Sequence, residues 1–207
     1  MYPNEWNQIA EDVDFNLEID LARFLDEVPT EHKVLDYGCG YGRISKQLYD
    51  AGYRNLIGVD SSVKMIERGK QEFPELSLEV NSGRTLPFPD SSFDAVVVCG
   101  VFTCITSQEA RFTQINELCR ILTPEGLLHM VEFCAEPSKV FTASIGVPML
   151  HSSPDELREL ISMFQIVSEN VLNTKTMRGS NAISYSVFAR KSLNKLSKRD
   201  ALDGAPS

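Results

Sequence analysis

The stretch VLDYGCGYGRI, Val34 to Ile44, sets Asp36 ahead of glycines at every second position, Gly38, Gly40 and Gly42. Alternate glycines let a backbone turn sharply and approach a ligand with no Cβ in between, while a following helix offers its N-terminus. A dinucleotide loop has the spacing GxGxxG; this one runs GxGxG, with a carboxylate two residues upstream. Asp36 would repel a pyrophosphate and attract a ligand bearing an ammonium and a sulfonium, which disfavours a nicotinamide-dependent reductase. A second acid, Asp60, closes NLIGVD, and a carboxylate at a strand end can accept hydrogen bonds from both hydroxyls of an unphosphorylated ribose. The two acids together describe a site for a nucleoside with a cationic tail.

Positioning such a loop requires strands that end at it and helices that leave it. Short apolar runs at 34–37, 55–60, 76–80, 93–99 and 127–133, with two more near 164–172 and 183–190, read as strands. Helical stretches separate most of them. One begins at a capping box of Thr106 and Glu109, and another at Ser153-Pro154-Asp155-Glu156. Thr123 to Gly126 reads as a turn into the fifth strand. Alternating strands and helices with apolar strands indicate an α/β fold, a parallel sheet covered on both faces. Ahead of it, Tyr2, Trp6, Ile9 and Val13, then Leu17, Leu21, Phe24, Leu25 and Val28, repeat at helical spacing up to Pro29. Residues 1–30 are thus expected to form a helical lid, 31–190 the ligand-binding core of the same single domain, and 191–207 a disordered polar tail.

A chain of 207 residues that is 43% hydrophobic and 24% charged allows one sizeable core. Its formal net charge of -9 argues against nucleic acid as a partner. Five cysteines with no CxxC pair read as buried thiols in a reducing compartment. No apolar run reaches the roughly 18 residues of a membrane span, so a cytoplasmic protein without membrane association is expected. No grouping of histidines and acids suggests a metal site.

Four motifs in order, VLDYGCGYG, GVDSS, TLPFPDSSFDAVVV and ELCRILTPEGLL, resemble those of class I S-adenosylmethionine-dependent methyltransferases of the small-molecule type, over roughly Val34 to Arg190. The resemblance implies a Rossmann-like, seven-stranded, mostly parallel sheet with its last strand antiparallel, and S-adenosyl-L-methionine as cofactor. It implies that Asp36, Gly38, Cys39 and Gly40 line the methionine end, that Asp60 holds the ribose, and that Ser61 and Met65 flank ribose and adenine. Ser82, with Gly83 and Arg84, stands where an acidic residue usually meets the adenine amino group. Cys99 matches a position whose backbone carbonyl meets the cofactor's ammonium.

Methyl transfer from a sulfonium is a direct displacement, so alignment of the acceptor carries much of the work and a base is optional. Glu132 and His151 are the candidate bases, whereas His129, inside a strand, reads as a satisfied interior residue. Tyr2 and Trp6 of the lid, Phe102 after the fourth strand and Arg178 before the last are candidates to meet the acceptor. No Asn-Pro-Pro-Tyr-like run and no Pro-Cys nucleophile follows the fourth strand, which counts against nucleobase or glutamine amino groups and pyrimidine C5. A small-molecule oxygen, nitrogen or sulfur acceptor remains, under the apolar segment Cys134 to Ser153, in a monomer or homodimer. The competing reading is an inactive S-adenosylmethionine-binding regulator or scaffold.

Overall fold

The structure, a computed structural model, describes residues 3–192. Strands covered on both faces must be apolar throughout, and β1 (Val34–Tyr37) and β4 (Phe93–Cys99) are buried along nearly their whole length. With β2 (Leu56–Asp60), β3 (Leu78–Val80) and β5 (Leu122–Cys134) they form parallel pairs. Beyond β5 the chain makes a separate two-stranded hairpin, β6 (Lys139–Thr142) with β7 (Pro148–His151). It then returns to the main sheet as β8 (Phe164–Lys175) and β9 (Asn181–Lys191), and β9 lies antiparallel to both β5 and β8. The seven-stranded order is β3-β2-β1-β4-β5-β9-β8. Because the order reverses between β1 and β4, their carboxyl ends open a crevice.

Two apolar layers hold the sheet. On one side α5 (Gln108–Ile121) and α6 (Pro154–Leu160) bury Ile115, Leu118, Leu157 and Leu160 against Val96, Val98 and Met130. On the other, α2 (Leu21–Glu27) and α3 (Arg43–Asp50) bury Phe24, Ile44 and Leu48 against Ala95, Val97 and Phe188. α4 (Val63–Glu72) follows β2 and is capped by Ser62, whose hydroxyl accepts from Met65 N. Ser153 caps α6 through Glu156 N at 3.2 Å, as its sequence signature anticipates. His129 is fully buried; its Nε2 accepts from Asp20 N (3.1 Å), so its Nδ1 donates to the Val187 carbonyl. Among the described residues no helix is long and apolar enough to cross a membrane.

Several expectations are corrected. The N-terminal stripe forms two helices, α1 (Pro3–Ile9) and α2, but Val13 and Leu17 of the stripe fall in an irregular strap between them, residues 10–20. The cap of α5 is Ser107, which accepts from Ala110 N, rather than Thr106. β5 starts at Leu122, so Pro124-Glu125-Gly126 lies within that strand, with Glu125 at φ 63°. Lys191 is part of β9, its Nζ donating to the Leu122 carbonyl at 2.6 Å. The rest of the expected tail, 193–207, falls outside the described residues.

Phe24 is fully buried, 5.6 Å from the ring of Tyr53 and 6.2 Å from that of His129. Phe24→Ala is expected to destabilise the fold by about 3–5 kcal/mol, as an unfilled aromatic cavity does, read as a lower urea midpoint at unchanged m-value.

Candidate active site

The glycine loop leaves β1 with Gly38 at φ 73°, Gly40 at φ 56° and Gly42 at φ 91°, backbone conformations that L side chains rarely adopt. Space reinforces the requirement. A Cβ on Gly38 would stand 2.4 Å from Val101 Cγ2, and one on Gly40 would stand 2.7 Å from the Phe15 ring. Thus the loop is squeezed between the turn after β4 and the N-terminal strap. Asp60 fastens it from β2, accepting from Gly40 N at 2.9 Å and from Ser62 N at 2.8 Å.

Beyond this loop lies a cavity of about 530 Å³, within the range that small-molecule sites occupy. Asp36, Gly38, Cys39, Gly40, Asp60, Ser61, Met65 and Cys99 all line it, as do Trp6, His151 and Arg178. The strap contributes 12–17 and α3 contributes Arg43; Phe133, Phe141, Ile145 and Met149 come from β5 and the β6–β7 hairpin.

The two acids give one wall its charge. Asp36 is 1% exposed and receives a hydrogen bond from Ser45 Oγ at 2.6 Å. Burial pushes its pKa up to about 6, against the lowering effect of Ser45 and Arg43. Asp60 is likewise raised by burial, with backbone N–H groups opposing the shift. Among the described residues neither carboxylate pairs with a lysine or arginine, since Arg43 is turned to Glu18 at 2.9 Å and to the Leu17 carbonyl. Two buried carboxylates without an ion-pair partner fit a ligand that brings positive charge of its own, as S-adenosylmethionine does. Spare lone pairs on Asp60 fit ribose hydroxyls.

The opposite wall is apolar. His151 is 7% exposed, stacks on Phe133 (5.5 Å, 16°) and meets Phe141 edge-on at 4.9 Å. Burial, with Lys139 adding to it, lowers its pKa to about 4, so the imidazole is neutral at pH 7.

A roof closes over both walls. Arg68 donates to the carbonyls of Ala10 (2.9 Å) and Val13 (2.6 Å), pairs with Asp14 at 3.0 Å and lies 3.9 Å over the Tyr41 ring. Phe15 stacks on the other side of the arrangement, 5.5 Å from Tyr41, with Trp6 edge-on to it at 5.7 Å. Asn7 Oδ1 accepts from Ser62 Oγ at 2.7 Å, which seats α1 on the start of α4. Asn16 Nδ2 reaches the carbonyls of Lys175 and Thr176 in the β8–β9 turn, where exposed Arg178 borders the cavity mouth.

Three expectations are not met. Glu132 does not face the cavity as a base: it is fully buried, Oε1 accepts from Val101 N and Phe102 N at 2.9 Å, and Oε2 accepts from Thr103 N at 2.8 Å. It anchors the turn after β4. Phe102 belongs to the core beneath the sheet rather than to the acceptor wall. Ser82, Gly83 and Arg84 sit on an exposed loop outside the cavity lining, drawn toward α5 by Gln114 Nε2, which donates to the Arg84 carbonyl at 3.2 Å. Tyr2 lies outside the described residues. Sequence reasoning missed Phe15, Arg43 and the strap, for which no local pattern announces a ligand, while the apolar content of 134–153 did point to the hairpin.

Residues 34–126 match a family described as methyltransferase domain. A demethylmenaquinone methyltransferase of Beutenbergia cavernae is 32% identical over 114 residues, 55% of this chain and 46% of that protein. The human eEF1A lysine and N-terminal methyltransferase is 31% identical over 103 residues, 48% of this chain and 15% of that protein. The chain therefore spans less than half the length of either relative. Among solved structures, a SAM-dependent methyltransferase of Methanosarcina mazei superposes with a TM-score of 0.77 at 23% identity, covering 86% of this chain and 100% of that one, a likeness of fold.

Because a cationic ligand favours ionised Asp36, affinity for S-adenosylhomocysteine, which carries an ammonium, should be full above pH about 6 and fall as pH drops through that value. Titration calorimetry across pH 5–8, taken as a rough working range, checks this, and Asp36→Asn should lose both affinity and pH dependence. Glu132→Gln places an amide N–H against backbone donors and should cost about 1.5–3 kcal/mol of stability, measured by urea unfolding.

Proposed function

On the premise that residues 34–126 belong to the methyltransferase-domain family, of the class I S-adenosylmethionine-dependent type, we propose that the chain methylates an oxygen, nitrogen or sulfur of a small molecule. Residues 1–190 act as one domain in this reading, in a monomer or homodimer. The observation that carries it is the polarity of a single cavity: two buried carboxylates with no ion-pair partner among the described residues on one wall and stacked aromatic rings on the other. Bound S-adenosylmethionine supplies the activated methyl carbon. Asp36 and Asp60 hold its charged and ribose ends, the hairpin wall seats the acceptor, and the Arg68-fastened strap excludes water. Such alignment can supply a large part of the barrier reduction, on the order of 7–11 kcal/mol in well-oriented systems.

The two relatives are named for unlike acceptors, demethylmenaquinone in one and protein lysine and N-terminus in the other. A small molecule is favoured here because strap and hairpin both border the cavity. The occupied carboxylate of Glu132 and the remote Ser82 favour, as a second reading, a cofactor-binding protein without transfer activity.

Calorimetry with S-adenosylmethionine and S-adenosylhomocysteine, followed by mass spectrometry of a metabolite panel and a lysine peptide panel, separates these readings. Binding of both nucleosides with mass gain confined to metabolites is expected. Binding without any mass gain would favour the scaffold, and absence of binding would overturn both.

A further inference from the structure

The carboxylate wall fits S-adenosylmethionine; the His151 wall offers a polar group to a second molecule. His151 is 7% exposed, and among the described residues neither ring nitrogen has a hydrogen-bond partner. The nitrogens open on the cavity rather than on packed protein, where a donor on a bound molecule can reach them. Phe133 and Phe141 pack against it, and Met149 and Trp6 line the same cavity, flat rings and a thioether whose surfaces suit a planar π-system.

Resting on the methyl-transfer reading, we propose that the acceptor is a planar aromatic molecule bearing a hydroxyl, seated against the β6–β7 hairpin with that hydroxyl donating to His151. In the transfer, an oxygen lone pair forms the new bond to the methyl carbon, and the carbon–sulfur bond breaks with its electron pair left on sulfur. The hydroxyl proton passes to a ring nitrogen of His151 and from there to water. A neutral imidazole has the lone pair this needs, and the hydroxyl becomes a far stronger acid as its oxygen is alkylated, so a weak base suffices. The product ether has no proton to donate, which loosens it from His151.

The test uses 2-naphthol and 2-methoxynaphthalene as probes with the full chain. Its three histidines, His32, His129 and His151, allow ring signals to be followed singly by NMR. Adding 2-naphthol should move the His151 signals and leave those of His129, whose two nitrogens are already engaged. By calorimetry the ether should bind roughly five- to tenfold more weakly, the worth of one hydrogen bond. His151→Phe keeps a flat ring between Phe133 and Phe141 and should bring 2-naphthol down to the affinity of the ether, with the ether unchanged. His151→Gln, which keeps an acceptor, should restore part of the preference, and serves if the Phe variant fails to fold. With S-adenosylmethionine present, 2-naphthol should yield 2-methoxynaphthalene by mass spectrometry. Equal affinity for the two probes, or immobile His151 signals, would overturn the proposal. Loss of S-adenosylhomocysteine binding by the native chain would instead overturn the reading on which it rests.

Discussion

Gly38 and Gly40 have the Val101 side chain and the Phe15 ring where their own Cβ atoms would be, and the remaining features of the site are arranged around that close approach. Val101 can press on the loop because Glu132 gathers the N–H groups of Val101, Phe102 and Thr103 onto one buried carboxylate. Phe15 can press from above because Tyr41 and Arg68 hold the strap. A glycine loop is soft in isolation; wedged from two sides, it becomes a fixed floor beside Asp36 and Asp60. The site is therefore rigid by packing, although much of its lining is irregular chain.

The same arrangement explains the different fates of the acids. Asp36 stands one residue before the end of β1 and Asp60 ends β2, strands whose neighbours are legible from hydrophobic runs, and both line the cavity as their positions imply. Glu132 also stands near a strand end, yet its neighbour is a turn whose N–H groups converge only once β4 and β5 are paired. Nothing local distinguishes a carboxylate facing a cavity from one facing three amides. The tertiary pairing decides.

Legibility along the chain follows the same division. Parallel strands advertise themselves because both faces are buried, and the Ser153 cap is a contiguous signal read within four residues. The strap at 10–20 carries Val13 and Leu17 at helical spacing yet stays irregular, with the Ala10 and Val13 carbonyls satisfied by Arg68 from another element. The β6–β7 hairpin was visible only as apolar content: its strands are four residues each, and their partners are each other. The loop at 82–84 erred in the opposite sense, where a motif position fixed in sequence stands apart from the cavity.

Among the described residues the hairpin joins no strand ladder of the main sheet beyond one bridge, from Cys134 to Ser152 just after β7. Its strands can change composition without shifting the register of β4, β5 or β9, on which the donor wall relies. Such a layout separates inheritance from invention: the nucleoside half is tied to the fold's integrity, whereas the facing wall is an insert on which selection can act alone.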